Sequence, residues 1–148
     1  MSSPGRLIVT EARISKHALS PLLHRGLKFL EAGDALGAEL LLDTYLKRSP
    51  DDADGHNLAA LAKHGLGFSD NAIDHLQRAR ALAPREHLFA VNLAAIFVDL
   101  GRIDDGLATI DAFLTNVPGQ IDALIQRAQI LQQHERIDEA VAVARMSV

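Results

Sequence analysis

Residues 46–52 read LKRSPDD, with Pro50 behind an apolar and basic run and two acids after it. A proline there stops a helix, because its ring clashes with the preceding turn and it brings no amide donor. The device recurs. ALAP ends at Pro84 and TNVP at Pro118, so three of the five prolines stand 34 residues apart. A step of that size holds two helices of about 14 residues and two turns, which is one helical hairpin.

Placing these prolines at position 32 of a 34-residue unit divides the chain into 19–52, 53–86, 87–120 and a partial unit 121–148. Residues 1–18 are left as an N-terminal extension. Positions that did not set the frame then agree. Position 8 is Gly26, Ala60, Ala94 and Ala128, and position 20 is Ala38, Ala72, Gly106 and Ala140. Small residues there let two helices approach closely. Position 15 is Gly33, Gly67 and Gly101, then Glu135; a glycine following a helix suits a left-handed cap. Positions 11 (Phe29, Lys63, Phe97, Leu131) and 24 (Leu42, Leu76, Ile110, Ala144) are mostly large and apolar, and fill the space around the hairpin.

Composition agrees with helix. Hydrophobic residues make up 48% and aromatics only 4%, with no Trp, so little favours strands. The pattern predicts eight helices: 21–32, 35–48, 53–66, 69–82, 87–100, 103–116, 121–134 and 137–148. Ser20 and Pro21 open the first as N-cap and first helical residue.

This unit resembles the tetratricopeptide repeat, over nearly the whole chain. The resemblance implies an all-α, right-handed α-solenoid of antiparallel helix pairs, about four repeats and eight helices. The sequence departs from the family at position 4, where Leu22, His56, Ala90 and Leu124 replace an aromatic. It departs again at position 27, with Tyr45, Ala79, Phe113 and Ser147 where alanine is usual. The family implies a protein- or peptide-binding scaffold acting through a concave groove. Carried onto this chain, the groove is lined by Leu23, Leu27, Asn57, Leu61, His64, Val91, Asn92, Gln126, Gln129 and Gln133. Members that clamp a C-terminal carboxylate use Lys or Arg on these positions; none stands there here. Amides can bond a peptide backbone without desolvating a charge. Asn92-Leu93-Ala94 is similar to the asparagine-bearing motif of protein O-GlcNAc transferase repeats, where asparagines hold an extended peptide. The alternative is an N-terminal accessory repeat region of a larger bacterial enzyme: a sulfotransferase, a glycosyltransferase or an aspartyl/asparaginyl hydroxylase-like protein.

No catalytic group, metal site or cofactor is expected. The absence of cysteine removes disulfides and thiolate ligands. Among the seven histidines no pair follows the H-E-x-x-H spacing, and no serine or threonine shows a base with an orienting acid. Asp51, Asp52, Asp54, Asp104 and Asp105 sit at helix starts, where capping and the helix dipole explain them. Nucleic acid is not the expected partner, because the net charge is −4 and acids outnumber bases after residue 30. No run is long enough to span a membrane and no signal-peptide apolar region is present, which predicts a cytoplasmic protein.

Two segments fall outside the full units. Residues 1–18 either cap the first hairpin, lie in the groove or fray. Helix 137–148 leaves Val141, Val143, Ala144 or Met146 uncovered. Either a following helix of a longer chain covers them, or a second copy does, making a homodimer through the uncapped solenoid end.

Overall fold

The computed structural model describes Ile14 and residues 19–146. Apart from Ile14, the expectation for the first eighteen residues lies outside the described residues. Those described form helices and turns only: α1 (Pro21–Glu31), α2 (Ala35–Arg48), α3 (Ala53–Gly65), α4 (Ser69–Leu82), α5 (His87–Asp99), α6 (Ile103–Asn116) and α7 (Ile121–Met146). Each helix packs on the next, α1 also touches α3, and α5 touches α7. The result is an all-α solenoid of stacked hairpins.

The turn chemistry repeats with the sequence. Gly33, Gly67 and Gly101 have φ of 80°, 88° and 76°, the left-handed conformation that side chains resist. Each helix end is closed the same way. The amides of Asp34, Phe68 and Arg102 donate to Phe29, Lys63 and Phe97 carbonyls at 2.8 Å, as in a Schellman cap. The proline turns also match: Asp52, Glu86 and Gln120 donate to the carbonyls of Ser49, Ala83 and Val117 at 3.1–3.3 Å. Their side chains then cap α3, α5 and α7. Gln120 Oε1 accepts from Ala123 N at 2.8 Å and Asp52 Oδ1 from Gly55 N at 3.2 Å. Ser20 caps α1 and Pro21 opens it, as the sequence predicts.

Packing follows the small-residue columns. Ala38, Ala60, Ala72 and Ala94 are fully buried. A Cβ on Gly26 would sit 3.2 Å from Leu42, and one on Gly106 would sit 3.2 Å from the Ala94 carbonyl. The large residue at position 24 therefore leans on the small one at position 8 of its own hairpin. Leu42, Leu76 and Ile110 are all completely buried, each contributing about 1.5–3 kcal/mol. Lys63 takes an aromatic column position by laying its stem along the helix pair and pairing its ammonium with Glu39, with Asp43 at 3.6 Å.

The fourth hairpin departs from the expectation. The pattern predicts helices 121–134 and 137–148; α7 instead runs unbroken for 26 residues, so the described residues form seven helices and not eight. Glu135 explains the difference. It occupies the place of the three left-handed glycines, and a helix-forming residue there continues the helix. Among the described residues the far half of α7 has no second helix beside it, and Ile137, Val141, Val143 and Met146 are exposed, as the sequence predicts for most of them.

Replacing Gly67 by Ala should lower stability by about 1 kcal/mol in urea denaturation. Gly119→Ala, where the added methyl meets nothing and no left-handed backbone is recorded, should change it by less than about 0.5 kcal/mol.

Candidate functional site

The first helix of each unit, α1, α3, α5 and α7, lines one side of the stack. The predicted groove residues divide here into two groups. Leu23, Leu27 and Leu61 are buried in one core cluster with Leu58, against which Ile14 also packs. Asn57 and Asn92 are 1% and 0% exposed, and Asn92 Nδ2 donates to Asn57 Oδ1 at 2.8 Å. These five side chains sit inside the packing and not on an open wall. The reason is geometric: α3 and α5 meet closely enough for one amide to reach the other, so the pair joins repeats two and three. His64 and Val91 are half-buried. Gln126 is half-buried, while Gln129 and Gln133 are exposed on α7 next to Ile125 at 50% exposure. The accessible part of the predicted groove thus lies at the α5–α7 end.

His64 does not face that groove freely. Its Nδ1 lies 2.9 Å from Ser69 Oγ and its Nε2 3.0 Å from Asp99 Oδ2. The sequence shows no serine with a base and an orienting acid; the structure assembles one from α3, α4 and α5. Such a set acts on a substrate only where a cleft brings an electrophile to the hydroxyl. The two cavities described lie elsewhere. One, about 590 Å³, is apolar and lies on α1 and α2 beside Leu22, Phe29, Leu40 and Tyr45. The other, about 280 Å³, lies between α3 and α4. The Ser69–His64–Asp99 chain links α3 and α4 of one repeat to α5 of the next. The helix-start acids are likewise structural: Asp52 caps α3 and accepts from the Tyr45 hydroxyl, Arg78 reaches Asp51 at 2.6 Å, and Arg102 reaches Asp105 at 2.7 Å.

The smaller cavity holds a contact that the sequence hides. His56 Nδ1 and His75 Nδ1 stand 3.0 Å apart, and His56 Nε2 is 2.7 Å from the Pro50 carbonyl. The two histidines are separated by 19 residues, and only the hairpin register, positions 4 and 23 of one unit, could have paired them. Burial pushes the His75 imidazole below its ordinary 6.5; the His56 and Lys63 charges push the same way, and Asp43 and Asp74 oppose them.

A family model described as Tetratricopeptide repeat matches residues 23–87 and again 57–121, two windows one repeat apart. The chain belongs to the tetratricopeptide repeat family. Its repeats superpose on the second such domain of human RPAP3, solved with an HSP70 peptide, with a TM-score of 0.63 and 16% identity. That match covers 74% of this chain and 91% of the other. A thermophilic tetratricopeptide protein of Thermus thermophilus gives 0.65 and 20%, covering 82% and 68%. At these identities the likeness concerns the fold. No curated protein matches the sequence. No enzyme family is among the matches, and no helix among the described residues is long and apolar enough to cross a membrane.

Two outcomes follow for this tetratricopeptide chain. Asn92→Ala should cost about 1–3 kcal/mol in denaturant unfolding, because it removes one partner of a buried amide pair. The second concerns acid. His75 holds its proton less well folded than unfolded, so the unfolded state binds more protons once pH falls below about 6.5. Above that value its contribution is flat, and below it stability is lost. The urea midpoint should fall between about pH 7.5 and pH 5.5, and His75→Gln should make that fall shallower.

Proposed function

We propose that the chain is a protein-binding module whose peptide site is the open wall formed by α5 and the first half of α7. One observation carries this reading. Ile125, Gln129 and Gln133 recur at four-residue spacing on α7, and Ile125 and both glutamines are exposed. Gln126 lies beside them, and Val91 stands on the contacting helix α5. An apolar side chain flanked by amides is suited to an extended peptide. Its backbone bonds to the glutamines, and an apolar residue covers Ile125. Gln129 and Gln133 keep from the sequence-based groove the roles that burial denies to Asn57 and Asn92.

The human repeat domain that shares the fold was solved with the peptide SGPTIEEVD, which ends in acids. Its example supports peptide binding as the class of function. The present wall favours a different peptide chemistry. Its groove positions carry no Lys or Arg and include Asp122, so the ligand we propose is uncharged and partly apolar.

Selection from a random peptide library against the intact chain tests this. Enriched peptides should lack acidic termini. The double substitution Ile125→Asp with Gln129→Ala should weaken them by about tenfold or more, ~1.4 kcal/mol, while the helical circular dichroism stays unchanged. Equal binding to the wild-type chain and to this folded variant would move the site off α7.

A further inference from the structure

The larger cavity, on α1 and α2, takes no part in that peptide wall, and it has a counterpart one repeat on. Leu22, Phe29, Leu40, Leu41 and Thr44 border it, at positions 4, 11, 22, 23 and 26 of the unit. The same positions of repeat two, His56, Lys63, Asp74, His75 and Arg78, border the smaller cavity. Each cavity is the valley between the two helices of one hairpin. We propose that the first valley is a second docking site, and that it receives an acidic amphipathic helix of a partner protein.

Repeat two shows how such a valley is closed. Its cations meet acids of the repeat before. Lys63 pairs with Glu39 and Asp43, one helical turn apart on α2, and Arg78 pairs with Asp51 in the proline turn. Among the described residues no helix precedes α1, so the first valley lacks that cover. Arg25 and Arg48 stand on its rim, and among the described residues no acid pairs with either. Asp34 and Asp52 cap helices, while Glu39, Asp43 and Asp51 are held by repeat two.

The floor differs as well. Where repeat two places histidines, a lysine and an aspartate, repeat one places leucines and Phe29, around a cavity of about 590 Å³ against about 280 Å³. The apolar surface continues past the rim. Leu36, 56% exposed, stands one turn from Leu40, 64% exposed, and Leu22 is exposed across from them. Exposed leucines around an apolar hollow mark a protein contact. A trough between two helices takes the ridge of a third, with apolar residues at i, i+3, i+4 and i+7. Carboxylates beside that ridge meet guanidiniums, which hold them through paired N–H donors.

Charge selects the occupant. The exposed stripe of Ile137 and Val141 on α7 runs into Arg145, so a second copy would set like charge against this rim. Residues 1–18 carry Arg6, Arg13 and Lys16 against Glu11 alone. Neither segment supplies the acids that Arg25 and Arg48 lack; an acidic partner does.

Fluorescence anisotropy with two end-blocked synthetic helices tests this. Both carry leucines at i, i+3, i+4 and i+7; glutamates flank them in one and lysines in the other. The intact chain should bind the glutamate helix about tenfold or more tighter than the lysine helix. Leu40→Asp should weaken that binding by about tenfold or more, with helical circular dichroism unchanged. Arg25→Glu with Arg48→Glu should reverse the preference, which damage to the fold alone would not do. Equal binding of the two helices, or undiminished binding by Leu40→Asp, would overturn the proposal. So would self-association of the free chain that Leu40→Asp abolishes, since a second copy would then fill the valley. Ile125→Asp with Gln129→Ala should leave the glutamate helix bound, and loss of binding there would move the helix to α7 and refute this site. The two walls answer to different substitutions, so failure of either proposal leaves the other standing.

Discussion

Close approach of two helices is the constraint on which this molecule rests. Leu42 can press against α1 only because Gly26 offers no side chain, and α6 can lie on Ala94 only because Gly106 offers none. Once the helices are that near, the position 24 residues lose all contact with water. Apolar burial at that column supplies stability that isolated helices of about 14 residues do not have. The turns on either side then need only return the chain to its start, which a left-handed glycine and a proline do at fixed intervals.

The same constraint shapes the surface. Between repeats two and three Asn57, Asn92 and His64 turn inward, and each finds a partner across the joint. Polar groups in this part of the stack are connectors. The near half of α7 packs on α5 and α6, while among the described residues its far half has no second helix beside it. On the near half Ile125, Gln129 and Gln133 remain accessible. The family fold is the same throughout, yet the predicted groove positions are buried in one part of the stack and exposed in another.

The sequence carried the hairpins clearly because their determinants are local and repeated. The proline step and the glycine caps each recur three times and the small columns four times, with one physical meaning. Helices α1 to α6 consequently begin where the pattern puts them and end within a residue of it. The fourth hairpin reads differently in the structure because a single residue, Glu135, outweighs the analogy of the other units. The groove was harder to read. Register says which way Asn57 points, but the distance between α3 and α5 decides whether anything can reach it. The Ser69–His64–Asp99 and His56–His75 contacts were invisible for a related reason: each depends on rotamers and helix spacing, not on motif.

The unbroken α7 has a mechanical consequence. At 1.5 Å per residue its 26 residues form a spar of about 39 Å, of which the outer half stands clear of the stack. A rod of this kind couples reach to azimuth. One inserted residue near Glu135 would advance the outer portion by only about 1.5 Å but swing it by about 100°. Whatever Ile137, Val141 and Val143 face is thus set by the residue count along a single axle.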